Sequence, residues 1–338
     1  MKMKEFKIIS CASFGSSGSG IVTDYLLEFD NIYNPGDYEF RFLQDFGGLT
    51  TLEDSLLHSH HRLNSDIAIR LFKKIIDYHS GDWTNKRYEK FFHGQFKEIS
   101  YKFLNELIEV KWDGYWEEYQ VLSPRFITLF KYKIYPRILR LLHGNIGYIA
   151  KYVPRSTMYF SNPTPEYFLD CVRRYLNNLF RVIDRDHNYE YLFFDQLLPS
   201  DDINRYFKYF DNLNVVVVDR DPRDYYIENV LKWGEGWVPI DIEKFVCLYK
   251  GIRKKIDISK DNPNILRLSF EDAIYKYDDF SDKINRFLGL SSRNHVRLKQ
   301  NFDPNKSIRN TQLWKTTKVD LSMIEYIEKE LGEYCYSF

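Results

Sequence analysis

The sequence predicts an α/β fold, with a central parallel sheet, helices on its faces and a mostly helical insertion. Three observations carry that expectation. Short apolar runs that end in polar or turn residues recur along the chain, the pattern of strands buried on both faces. Helical patterns lie between them, which implies crossover connections and a doubly wound sheet. Between the first run and the first helical pattern stands a loop of glycine and serine, "SFGSSGSGIV" (13–22).

In chain order, "FKIISCA" (6–12) is the first strand and "GIVTDYLLEFD" (20–30) the helix after the loop. "YEFRFLQD" (38–45) alternates in polarity and reads as a second strand. From about 50 to 185 the chain is helical and aromatic with few strand signals, and it is expected to be an insertion over the sheet's carboxyl edge, where ligands of such folds bind. Within it, "SDIAIRLFKKIIDYH" (65–79) and "TPEYFLDCVRRYLNNLFRVID" (164–184) are helices; Asn162 or Thr164 can cap the second, and Pro165 suits its first turn. "YLFFD" (191–195), "NVVVVDRD" (214–221) and "NILRLSFED" (264–272) are further strands. "FSDKINRFLGL" (280–290) is an amphipathic helix closed by Gly289. With no repeat and no proline-rich linker, the expected organisation is one domain over 1–338 carrying the insertion.

Composition narrows the function classes. Lys+Arg and Asp+Glu both count 48, so the net charge is zero, and a general nucleic-acid binder is disfavoured. Cys11, Cys171, Cys247 and Cys335 form neither a CxxC pair nor a metal-ligand cluster, which fits a reducing, cytoplasmic setting. No stretch approaches the roughly 20 apolar residues of a membrane span, and the N-terminal apolar run is too short for a secretory signal. The 27 tyrosines, 26 phenylalanines and 6 tryptophans are read first as core.

The loop at 13–20 sits where backbone N–H groups and a helix dipole converge on an anion. Gly15, Gly18 and Gly20 permit a tight turn and close approach, and Ser16, Ser17 and Ser19 add hydroxyls. A nucleotide triphosphatase would need GxxxxGK[ST]; "GSSGSG" has no lysine, so ATP or GTP hydrolysis is disfavoured. Dinucleotide binding is only loosely matched by GxxGxG, and a merely structural turn is the remaining alternative. Further along, "VVVVDRDPRD" (215–224) places Arg220 at a strand's carboxyl end, with a fork of donors suited to a phosphate. Arg223 is expected instead to pair with the neighbouring aspartates.

The loop, the "DRDPRD" elbow, "LSFEDAIYKYDDFSDKINRFLGL" (268–290) and "PNKSIRNTQLWK" (304–315) stand in an order and spacing that resembles sulfotransferases using 3′-phosphoadenosine 5′-phosphosulfate, most of all the bacterial ones. The resemblance covers about half of the chain and leaves 50–185 unmatched. It implies a P-loop-like three-layer fold and sulfuryl transfer to a hydroxyl, with adenosine 3′,5′-bisphosphate as product and no metal. On this resemblance Phe14, Gly15, Ser16, Ser17, Gly18, Ser19 and Gly20 wrap the 5′-phosphosulfate, Arg220 holds the 3′-phosphate, and Lys306, Ser307 and Arg309 belong to a lid, together with Trp314 and Lys315. Ser16 stands where the family often has a cation, and Glu228 where many members have a serine; Glu228 is expected to point away, or Asn229 to replace it.

The acceptor hydroxyl needs a base. Glu39 is the first candidate, since the family can place a carboxylate just beyond the second strand; an ion pair with Arg41 is the alternative for it. Arg41, Gln44 and Asp45 are candidate acceptor-site residues. "HSHH" (58–61) supplies further bases in His58, His60 and His61, with capping or surface roles as the alternative, and no carboxylate follows at metal-ligand spacing. Asp195 and Gln196 of "FDQLLPS" (194–200) are weaker candidates. The expected acceptor is a carbohydrate or glycoconjugate, with a sterol or other lipid alcohol next, and a non-catalytic nucleotide-binding protein is the rival from another class.

Overall fold

Seven strands form two sheets among the described residues: β1 (Lys7–Ala12), β2 (Ile32–Tyr33), β3 (Val110–Gly114), β4 (Ser156–Phe160), β5 (Tyr191–Asp195), β6 (Leu213–Asp219) and β7 (Ile265–Ser269). The structure is a computed structural model that describes residues 6–36, 39–81, 87–116, 124–144, 148–186, 188–256 and 262–338. The chain divides into two compact units, one of Met1–Asp45, Arg87–Gln95 and Leu176–Phe338, the other of Phe46–Lys86 and Phe96–Tyr175.

The first unit holds a five-stranded parallel sheet in the order β2-β5-β1-β6-β7. All five residues of β5 and the four consecutive valines of β6 are buried, as an inner parallel strand requires. In register, Cys11 lies beside Asp195 and Ala12 beside Val217, so the carboxyl ends of β5, β1 and β6 finish at one edge and their loops emerge together. One core packs Ile9, Val22, Tyr25, Phe193, Val218 and Phe270 between the sheet and flanking helices. A second gathers Tyr225, Tyr226, Phe245 and Tyr249 with Ile324 and Ile327. Many of the aromatics are therefore core, as expected.

The expected strand at 38–45 does not form. Only Glu39 bridges to Asp195, and Tyr38 lies outside the described residues. Phe40, Phe42 and Leu43 are all fully buried, and the Phe40 ring packs on Tyr88, Phe92 and Phe194 at 5.0–6.0 Å; the alternation stops at Phe42, where the chain turns and buries Leu43 beside it. The edge place is taken by β2. The run at 264–272 is a strand only to Ser269, whose hydroxyl accepts the Glu271 N–H and starts the helix Phe270–Tyr275. In the helix Pro165–Ile183, Thr164 Oγ1 accepts the Tyr167 N–H, so Thr164 and not Asn162 is the cap.

The second unit contains an antiparallel pair of strands, β3 and β4, that the helical reading of 50–185 missed. Its helix Arg62–Ser80 is fixed by a buried carboxylate: Asp66 accepts the Tyr159 N–H at 2.7 Å and Arg70 Nε at 3.0 Å. The Ser65 hydroxyl donates to the Ser161 carbonyl and accepts the Ser161 N–H.

Candidate active site

The loop after β1 is built from both ends. Gly15, Ser16 and Gly18 lie at φ of +39°, +57° and +97°, and a turn of this kind directs successive N–H groups toward one concavity. The N–H groups of Ser16, Ser17, Gly18 and Ser19 have no hydrogen-bond acceptor among the described residues. Packing demands glycine as well: a Cβ on Gly15 would lie 2.5 Å from the Trp237 ring, and one on Gly18 would lie 2.4 Å from Phe270. Ser17 Oγ donates to the Val218 carbonyl at 2.7 Å, tying the loop to β6. Gln196 ties it to β5 by donating from Nε2 to Ser13 Oγ at 2.6 Å. Phe14 packs against Tyr225 and Tyr249, with ring centres 5.0 and 5.3 Å away.

Beside the loop lies a cavity of about 410 Å³ lined by Ser16, Gly18, Ser19, Gly20, Ile21, Asp24, Glu39, Arg220, Glu228, Trp233, Phe270, Ser307 and Asn310. Its size is that of a small-ligand site. Arg220, just past β6, is the one cation in this lining among the described residues. Its guanidinium is buried over the Phe270 ring at 4.6 Å, and its Nη2 donates to the Asn310 carbonyl at 2.7 Å. Nη1 pairs with Glu228, while Nε is buried without a partner. Burial pulls the guanidinium below the usual arginine value, but an arginine stays charged.

The elbow beyond Arg220 is a dense charge network. Asp221 caps the helix Pro222–Tyr226 by accepting the Arg223 N–H, and Arg223 Nη2 meets Asp221 Oδ2 at 2.5 Å. Arg223 also pairs with Glu328 and stacks 3.9 Å over Trp314, as the ion-pair expectation requires. Asp224 does not pair; it accepts the Gln312 and Leu313 N–H groups at 2.8 and 2.6 Å. Burial pushes its carboxyl up to about 7, against the pull of those N–H groups and of Arg220.

Several expectations are corrected by this geometry. Ser16, Gly18, Ser19 and Gly20 do line the cavity, but Phe14, Gly15 and Ser17 support the loop from behind. Glu228 does not point away: it faces Arg220 from the π-helical turn Ile227–Trp233. Nor does Asn229 take its place, for Asn229 Nδ2 donates back to the Tyr225 carbonyl. The segment from 304 onward is helical turns, Pro304–Ser307 and Ile308–Asn310, which send Ser307 and Asn310 into the cavity and leave Lys306 and Arg309 exposed outside its lining. Lys306 sits 3.7 Å from Asp303.

Of the candidate bases only Glu39 lines the cavity. Arg41 Nε pairs with Asp45 at 3.0 Å and Gln44 Nε2 donates to the Gln196 carbonyl at 2.5 Å, so these three serve the turn that replaced the expected strand. The histidines belong to the second unit. His61 caps the helix Arg62–Ser80, His60 Nε2 meets the Ser161 carbonyl at 3.0 Å, and His58 is exposed. Carboxylates do stand at ligand spacing, ahead of the histidines: Glu53, Asp54 and His58 bring ligand atoms within 4.8 Å of one another. Asp24, Trp233, Phe270 and Asn310 were missed as lining residues; the glycines of "LKWGEGW" (231–237) were the one signal of a turn that brings a tryptophan to a site.

No family model and no curated sequence matches the chain. Solved structures to which it is similar include the sulfotransferase domain of a Synechococcus olefin synthase, at 13% identity over 100% of this chain and 98% of that one, with a TM-score of 0.45. A sulfotransferase from Mycobacterium tuberculosis is 11% identical over 98% of this chain and 78% of that one, with a TM-score of 0.41. Retinol dehydratase, solved with androsterone and the inactive cofactor PAP, is 14% identical over 98% and 82%, with a TM-score of 0.31. None of these reaches a TM-score of 0.5, and a functional reading rests on the cavity itself. Among the described residues no helix is long and apolar enough to cross a membrane.

Proposed function

We propose that the chain is a sulfotransferase that moves a sulfuryl group from 3′-phosphoadenosine 5′-phosphosulfate to an acceptor hydroxyl. The observation that carries this reading is one cavity lining shared by Ser16, Gly18, Ser19 and Gly20 of the turn, where the Ser16, Gly18 and Ser19 N–H groups have no acceptor among the described residues, with Glu39 and Arg220. The turn offers donors to an anion and its "GSSGSG" run carries no lysine, which suits a phosphosulfate better than the triphosphate of a GxxxxGK[ST] loop. Trp233 supplies an aromatic face for the base. Sulfuryl transfer, like phosphoryl transfer, asks chiefly for positioning and charge stabilisation. Glu39 takes the proton of the acceptor hydroxyl, and the turn's N–H groups stabilise charge on the departing phosphate.

A carbohydrate or glycoconjugate is the proposed acceptor, in a reducing cytoplasmic setting, and the 50–185 segment is proposed to shape the acceptor side of one sulfotransferase-like domain. Calorimetric titration with adenosine 3′,5′-bisphosphate in the absence of Mg²⁺, followed by a screen of glycans and lipid alcohols with labelled donor, tests this. Nucleotide binding and transfer to a sugar hydroxyl are expected. Transfer only to lipid alcohols would move the acceptor class, and binding without transfer to any acceptor would leave a nucleotide-binding protein.

A further inference from the structure

Glu228 follows Arg220 by eight residues, on the π-helical turn, and its Oε2 pairs with Arg220 Nη1 in the cavity wall. The two side chains are 9% and 3% exposed, so each charge has lost its water and depends on the other. The rest of the guanidinium is largely committed, Nη2 to the Asn310 carbonyl at 2.7 Å and Nη1 also toward the Ser16 carbonyl at 3.4 Å. Asp224, Glu271 and Asp221 add negative potential around the same guanidinium. Across the lining, Asp24, Glu39 and Glu228 set three carboxylates against one cation among the described residues.

A phosphate reaching Arg220 has to displace Glu228. One anion then replaces another on the same cation, and a carboxylate is left buried and unpaired beside the newcomer's own negative charge, which costs most of what the new contact gains. A ribose hydroxyl meets the opposite situation. It donates to Glu228 without breaking the ion pair, as acidic residues do for ribose hydroxyls at dinucleotide sites.

We infer that Glu228 sets the donor preference at the ribose 3′ position, and that this site uses adenosine 5′-phosphosulfate with a free 3′-hydroxyl as readily as its 3′-phosphorylated form. The inference rests on the nucleotide reading proposed above and on the orientation that the resemblance implies, with the 5′ end at the Ser16–Gly20 turn and the ribose 3′ substituent at Arg220. The reaction balances without the 3′-phosphate. The bond from sulfur to the bridging phosphate oxygen breaks, a bond from sulfur to the acceptor oxygen forms, the acceptor proton passes to Glu39, and AMP leaves.

The test is a pair of calorimetric titrations on the full chain, with AMP and with adenosine 3′,5′-bisphosphate, for wild type, Glu228→Gln and Glu228→Ser. Because the readout is a ratio of two affinities on one sample, partial unfolding of a variant cancels. In the wild type the two nucleotides are expected to bind within about threefold of each other. In both variants Arg220 regains its charge for the ligand, and the bisphosphate is expected to gain about ten- to hundredfold over AMP, the scale of charged hydrogen bonds. A wild-type preference for the bisphosphate above about tenfold overturns the inference, and so does a small preference that both variants leave unchanged. Absence of binding by either nucleotide overturns the nucleotide reading itself, an outcome distinct from both.

Discussion

Gly18→Ala adds one methyl group at a position where two independent costs meet. The residue sits at φ +97°, a backbone state that an L side chain disfavours by about 1–2 kcal/mol. The new Cβ would lie 2.4 Å from Phe270 Cδ2. Phe270 is 5% exposed and packed in the core with Val218, Leu268 and Ala273, so its ring has little room to retreat, and overpacking of this kind costs about 1–3 kcal/mol. Together these predict a loss of about 2–5 kcal/mol. With an unfolding entropy of about 2.1 cal/mol/K per residue, 338 residues give about 0.7 kcal/mol/K, so the melting point should fall by about 3–7 °C. Differential scanning calorimetry of wild type, Gly18→Ala, Phe270→Ala and the double variant separates the two costs. Removing the ring should leave the backbone cost and abolish the clash, a coupling of about 1–3 kcal/mol. Additive effects of the two substitutions, or a single variant that melts with the wild type, would refute the packing argument.

Glu39→Gln should lower turnover by on the order of 10²-fold or more with nucleotide affinity unchanged, as for a lost general base; near-normal turnover in steady-state kinetics would remove Glu39 from that role. Arg220→Ala strands Glu228 without its partner, so urea unfolding should show a loss of about 3–5 kcal/mol, largely recovered when Glu228→Leu accompanies Arg220→Met. Asp224 gives a pH signature. Its carboxyl is raised from 3.8 to about 7 in the fold, so the unfolded chain ionises first. Its contribution is full below about pH 4 and is lost as pH rises through about 7, on the order of 4 kcal/mol across that window. Asp224→Asn should flatten that slope in urea midpoints measured from about pH 4.5 to about pH 7.5, and an unchanged slope would assign the titration elsewhere.

Legibility in the sequence followed how local the cause was. The runs at 6–12, 191–195 and 214–221 contain strands because each holds a consecutive apolar stretch, Ile8–Ile9, Leu192–Phe194 and Val215–Val218, which no other neighbour has to explain. The loop was legible because Gly15 and Gly18 announce positive φ, and the elbow because Pro222 and Asp221 start a helix by local chemistry. The segment 38–45 misled for the opposite reason: its alternation is real, but Phe40 and Phe42 answer to Tyr88, Phe91 and Phe92, some fifty residues later. Lys306 and Arg309 misled because counting cations says nothing of direction; a helical turn sends Ser307 and Asn310 inward in their place. His61 was marked for chemistry and serves as a helix cap, a role for which histidine is an uncommon choice. Trp233 was marked only by Gly234 and Gly236 after it, because the π-helical turn that places it follows no obvious pattern.

The strand order has a consequence for how the chain comes to be folded. β1 is made first and lies at the centre of the sheet, with Lys7 beside Tyr191 and Ile8 beside Leu213. Both its neighbours are synthesised well over a hundred residues later, so during translation β1 has no partner to pair with. Such distant pairings make for slow folding and a long-lived exposed edge. A nascent chain stopped before Tyr191 therefore carries a ready-made template for association, and the yield of native protein should depend on how quickly the ribosome delivers β5 and β6.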